Sequence, residues 1–159
     1  MILYHGSNVE VRQPRILERL RTLDFGAGFY TTSSREQAIK WAKAVVKRRQ
    51  TGIPCINCYF LDDAALAGIH VLRFESPSEK WLDFVVQNRK GMPQAPFDLV
   101  IGPVANDATL PVIDDYMDGK YTKNEAIERL LPQKLTDQYA FLTQKALSVL
   151  AFQESEVLS

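Results

Sequence analysis

The histidine at position 5 sits where the apolar run Met1-Ile2-Leu3-Tyr4 gives way to Gly6-Ser7. An imidazole there either satisfies a strand end or forms one wall of a nucleotide site, because it can both donate and accept hydrogen bonds. Two further segments carry residue types suited to a ligand. Gly26 and Gly28 bracket an alanine ahead of Phe29-Tyr30, with Trp41 in the helical stretch that follows, and Gln138-Tyr139 lies near the end of the chain. Alone, each is ordinary: glycine pairs occur in many loops, a tryptophan at helical spacing usually enters a core, and a single glutamine means nothing. Together they are independent coincidences unless they serve one site, and that joint pattern is the signal.

Other reactive types are weaker. Cys55 and Cys58 form a CxxC without the second ligand pair that zinc requires, in a segment that reads as a strand, where residues three apart face opposite sides. Two ordinary buried thiols are expected, and no metal. Ser7 lies beside His5, but no G-x-S-x-G elbow occurs, which argues against a serine hydrolase. Lys47-Arg48-Arg49 reads as a solvated helix end that complements the helix dipole, Arg89 as a surface residue, and Asp24 as a cap for the backbone of the glycine loop.

The elements that position these residues follow from pattern. Residues 1–5 read as a short strand, 8–23 as a loop with a helical turn, and the FYTT stretch as extended. Ser33 or Ser34 caps a helix running through Ala38, Trp41, Ala42 and Val45, stopped by Thr51-Gly52 and Pro54. CINCYFL and HVLRFE read as two strands separated by a turn near Asp62–Gly68. The next stretch reads as a helix with Ser76 as cap, Pro77 in its first position, Glu79 closing the capping box and Trp81 in the core. DLVIGPVA suits a central strand, two short helices end at Gly119 and Pro132, and DQYAFLT and VLAFQES are strand-like. Strands outnumber long helices without regular alternation, so the expected class is α+β with mixed or antiparallel sheet and helices packed outside.

At 159 residues one domain spanning 1–159 is expected. Nineteen basic residues balance nineteen acidic ones, so the whole molecule has no net field to attract a phosphate backbone from a distance. The N-terminus lacks a signal-peptide pattern and no run of about 18 apolar residues occurs, which sets the cytoplasm as the default and predicts no membrane contact.

In order and placement, Tyr4-His5-Gly6-Ser7, Gly26-Ala27-Gly28-Phe29-Tyr30 with Trp41, and Asp137-Gln138-Tyr139 resemble the ADP-ribosyltransferase superfamily, in the branch of diphtheria toxin and the poly(ADP-ribose) polymerases. The resemblance covers nearly the whole chain in segment order, with identity confined to the motifs. It implies a split mixed or antiparallel sheet with peripheral helices and NAD as substrate. His5 would bond a ribose hydroxyl, and Gly6, followed by Ser7, would expose backbone groups to the nicotinamide carboxamide. Tyr30, set by Gly26 and Gly28, would lie against the nicotinamide with Trp41 as a second wall, a pair of ring faces worth about 1 kcal/mol or more each. Ala38 stands near the polymerases' carboxamide serine, so Thr32, Ser33 or Ser34 would substitute.

The departure is Gln138, where the polymerases have a catalytic glutamate. Glutamine keeps the hydrogen bond and loses the charge, and removal of one such electrostatic contact typically costs a factor of roughly 10² to 10³. The resemblance therefore implies slow mono-ADP-ribosylation of a protein or nucleic-acid acceptor, or else an NAD or ADP-ribose binder acting through a partner protein. An RNA 2′-phosphotransferase of related fold would need histidine for Tyr30 and a late-strand arginine, and has neither. Residues 97–107 and 138–143 also resemble a bacterial domain family long catalogued without function, whose members often neighbour small partner proteins. That implies a toxin or effector setting with an antitoxin-like partner. Asn106 and Asp107 would contact an acceptor or supply a second acid near the ribose, although Asn-Asp is also ordinary turn chemistry.

Overall fold

The computed structural model describes residues 1–16, 23–92, 96–106 and 108–159. In chain order its elements are β1 (Ile2–Ser7), β2 (Phe29–Thr31), α1 (Arg35–Arg49), β3 (Cys55–Leu61), β4 (Val71–Arg73), α2 (Glu79–Arg89), β5 (Leu99–Pro103), α3 (Leu110–Met117), α4 (Lys123–Leu130), β6 (Asp137–Phe141), α5 (Gln144–Leu147) and β7 (Leu150–Val157). A 3₁₀ turn, Asp63–Gly68, separates β3 from β4. The strands form two sheets, β1-β3-β7 and β2-β6-β5-β4. All pairs are antiparallel except β4 with β5. The class is thus α+β with mixed and antiparallel sheet, and no described helix is long and apolar enough to cross a membrane.

Period-two alternation explains the layers. On β5 and β6, Leu99, Ile101 and Phe141 face the other sheet and pack with Leu3, Phe29, Tyr59 and Leu61. Val100 and Ala140 face the opposite way, onto Trp81, Leu82 and Val85 of α2, Ile113 of α3, and Ala126 and Leu130 of α4. Gln138 shares the parity of Ala140, so it stands on the helix-covered face. Trp81 is fully buried, as expected, and its indole N–H donates to the Pro103 carbonyl at 3.1 Å.

Local signals explain most boundaries. Ser34 caps α1 by accepting from the Gln37 N–H at 3.2 Å, and Gln50 ends the helix in the left-handed region with φ of 53°. At α2 the cap is Ser78, which accepts from the Trp81 N–H, rather than Ser76. Pro77 therefore lies before the helix, and Glu79 opens it instead of closing a box. The HVLRFE strand shortens to Val71–Arg73 and pairs with β5, not with its sequence neighbour β3, because the 3₁₀ turn carries the chain from one sheet to the other.

Helix α1 lies close against β1. A Cβ at Gly6 would collide with the Ala38 carbonyl oxygen and lie 2.6 Å from the Ala42 backbone nitrogen. Glycine is required at position 6 to let the helix backbone approach, which is a packing reason independent of any ligand. Gly6→Ala is expected to destabilise the fold by about 3 kcal/mol, as overpacking against backbone that cannot yield. Gly68→Ala, whose added methyl would meet nothing within 4 Å, should stay within about 0.5 kcal/mol; urea unfolding of both variants checks the contrast.

Candidate functional site

The two sheets touch through a backbone bridge in which the Tyr4 N–H donates to Thr32 O at 2.8 Å and the Thr32 N–H to Tyr4 O at 2.9 Å. This seam sets His5 beside Tyr30. The His5 Nδ1 lies 2.7 Å from the Tyr30 carbonyl oxygen, which can only accept, so Nδ1 carries a proton, and Nε2 is an acceptor whenever the ring is neutral. The imidazole also stacks on Phe29, with ring centroids 4.1 Å apart.

The Tyr30 phenol is clamped by the glycine loop. It accepts from the Phe25 N–H at 2.9 Å and donates to the Gly26 carbonyl at 2.6 Å. Gly26 has φ of 93°, a conformation that explains glycine there. Gly28 serves packing, since a Cβ would meet the Phe141 carbonyl at 2.8 Å. The loop is held from the far side by α2. Arg89 Nε and Nη2 donate to Asp24 Oδ1 at 3.0 and 2.9 Å, and Asn88 Nδ2 donates to the Asp24 carbonyl at 3.1 Å.

His5, Gly6, Tyr30, Trp41 and Gln138 line one cavity of about 520 Å³, a volume suited to a small-molecule ligand. Gln138 is 3 % exposed and its Nε2 has no hydrogen-bond partner. An unpaired buried donor costs about 1–3 kcal/mol, so an orphan amide on a cavity wall is a marker for a ligand group. Tyr139, adjacent in sequence, points the other way into the core between the sheets, and burial pushes its phenol pKa up.

Other candidates sit elsewhere. The Ser7 hydroxyl is buried beside Asn8; Thr32 accepts from the Ser34 N–H and Ser34 caps α1; Ser33 binds Asp137. None of these lines the cavity, nor do Gly26 and Gly28. Asn106 makes the expected turn, its Oδ1 accepting from the Ala108 and Thr109 N–H groups at 3.0 Å, and Asp107 lies outside the described residues.

Sequence reasoning missed the charged wall. Arg89 is not at the surface: it lines the cavity with its side chain about one-fifth exposed, bound to Asp24 and 3.5 Å from Asp114. Arg48 also lines it, two turns along the same face of α1 from Trp41. Asp24 orders the loop through α2 rather than by capping its own backbone. Cys55 and Cys58 are buried on β3, and burial pushes both thiols up, which keeps them protonated and unreactive at neutral pH. Among the described residues no cluster of three or more potential metal ligands occurs.

A two-sheet α+β domain with a ligand-sized cavity where β1, β2, β6 and α1 converge is the class that fold and site define. The chain belongs to a family described as a protein of unknown function (DUF3990), whose model matches residues 1–152. No curated protein and no solved structure matches it.

Tyr30→Phe keeps the ring but leaves the Phe25 N–H and the Gly26 carbonyl without their partner. It is expected to lower stability by about 1–2 kcal/mol in urea unfolding. The midpoint should fall with little change in the denaturant slope.

Proposed function

We propose that this protein is an NAD-dependent mono-ADP-ribosyltransferase built as one domain over residues 1–159. The observation that carries this reading is convergence. His5, Tyr30, Trp41 and Gln138, drawn from both ends of the chain, line the same cavity. Two sheets meeting at a seam with helices outside is also the arrangement the superfamily resemblance implies. NAD is the substrate in this reading.

The roles follow from the donors and acceptors present. Tyr30, held by the loop, and Trp41 offer ring faces to the nicotinamide; the Gly6 backbone lies on the same wall for its carboxamide. In the reaction the bond between the anomeric carbon and the nicotinamide nitrogen breaks, and its electron pair discharges the pyridinium. The new bond forms from that carbon to an acceptor oxygen or nitrogen, whose proton passes to solvent. His5 and Gln138 hold ribose hydroxyls through the oxocarbenium state. Because Gln138 is neutral, it stabilises that charge less than a carboxylate would.

That same neutrality favours a second reading, a catalytically weak NAD or ADP-ribose binder that acts through a small partner protein. Asp24 and Asp114 both line the cavity, but Arg89 engages each of them, so neither offers an uncompensated carboxylate.

Incubation with labelled NAD and a cell extract tests the first reading. Weak labelling is expected, abolished by Tyr30→Ala, strongly reduced by His5→Ala and raised by Gln138→Glu. Labelling untouched by His5→Ala or Tyr30→Ala removes the assignment, and NAD binding without transfer selects the binder.

A further inference from the structure

Helix α1 holds six of the chain's nineteen basic residues, Arg35, Lys40, Lys43, Lys47, Arg48 and Arg49, against a single acid, Glu36. The helix is thus five charges positive and, since the whole chain is neutral, the remainder is five charges negative. The molecule is electrically polarised although its net charge is zero.

Helical geometry sorts these charges. Ala38 and Ala42 face the sheet and are fully buried. Trp41, Ala44, Val45 and Arg48, at spacings of three, four and seven, line the cavity on one flank. Lys40, Lys43 and Lys47, at spacings of three and seven, form a solvent stripe beside that flank, all three exposed. Among the described residues no carboxylate pairs with any of the three, whereas Arg35 is taken by Glu156 at 2.6 Å. The exposed Ala44, Arg48 and Asp114 mark the opening of the cavity, so the stripe runs along its edge.

We propose that this lysine stripe docks the phosphate backbone of a single-stranded nucleic acid and that a nucleotide of that strand is the acceptor presented to the cavity. The acceptor assignment rests on the transferase reading above; the docking surface does not. A protein partner fits the stripe less well. Protein interfaces are depleted in lysine and need an apolar centre, and none of the exposed large apolar side chains belongs to α1. Backbone phosphates ask only for point charges at suitable reach. The acidic remainder of the molecule repels the same strand, which confines it to this face. The single strand follows from the acceptor assignment, because a nucleotide that enters a cavity must leave its stack, and that costs least in a strand already unpaired.

The test measures fluorescence anisotropy of labelled single-stranded 20-mers of RNA and DNA, and of a polyglutamate peptide, against the wild type and the triple variant Lys40→Glu, Lys43→Glu, Lys47→Glu. The substitutions are exposed, and circular dichroism verifies the fold. Three phosphate contacts predict a slope of log affinity against log salt of about −2 for the wild type, flattened in the variant, with affinity reduced at least tenfold. NAD binding by calorimetry and nicotinamide release are expected to be equal in the two proteins. Oligonucleotide binding that is absent, or unaffected by the variant, overturns the proposal, as does equal or tighter binding of polyglutamate. NAD binding without oligonucleotide binding removes this inference alone, whereas oligonucleotide docking by a protein that fails to bind NAD keeps the surface and removes the transferase reading.

Discussion

One reciprocal pair of backbone hydrogen bonds, between Tyr4 and Thr32, is all the described ladder that joins the two sheets, and the site is built around it. With those two residues paired, His5 follows on β1 while the other strand leads back from Thr32, and the imidazole of His5 reaches the carbonyl of Tyr30, two residues before Thr32. A bridge this short survives because apolar packing backs it. Leu3, Phe29 and Phe141 fill the space between the sheets, and α1 presses on β1 where Gly6 leaves room. Hydrophobic burial supplies the holding force and the seam supplies the register.

From that seam the cavity is assembled by second-hand positioning. Arg89 and Asn88 at the end of α2 hold Asp24; Asp24 leads into Phe25 and Gly26; those two backbone groups clamp the Tyr30 phenol. A surface ion pair is worth little, but this one is mostly shielded from solvent and joined by an amide on the same helix, so its effect is geometric: it fixes one conformation of the loop. The ring that faces the cavity is therefore oriented by residues some sixty positions away in sequence.

What could be read from the sequence were the elements and the strongest motifs. Capping serines, glycine and proline stops and runs of strand-forming residues are local signals, so α1, β3, β5 and β6 emerge within a few residues of their true limits. Pairing is not local. Nothing in HVLRFE says that it leaves the sheet of CINCYFL, and nothing in QNRK says that its arginine turns inward to an aspartate before a glycine loop. Gly6 is the instructive case, since its type was legible and its reason was not. The motif suggests a ligand's approach, whereas the methyl it lacks would strike the backbone of α1. Serines and threonines near the site were likewise absorbed by caps and by Asp137, which local hydrogen-bonding chemistry favours wherever a helix starts.

Gln138 gathers these points. A carboxylate on that wall, 3 % exposed, would carry a desolvation cost that Arg89 does little to offset, because Arg89 is engaged by Asp24 and Asp114. The amide avoids that cost and keeps an unpartnered donor on a residue of the cavity wall. Under the transferase reading its polarity is consistent with the histidine. The Nδ1 N–H donates to the Tyr30 carbonyl, so in the neutral ring Nε2 accepts; a ribose hydroxyl that donates to Nε2 retains lone pairs for the Gln138 N–H. One hydroxyl can satisfy both side chains, with every donor meeting an acceptor in a single direction. A glutamate at 138 would accept instead of donate, so the ribose would have to contribute a second hydrogen, and the neutral chain of bonds would become a charged one.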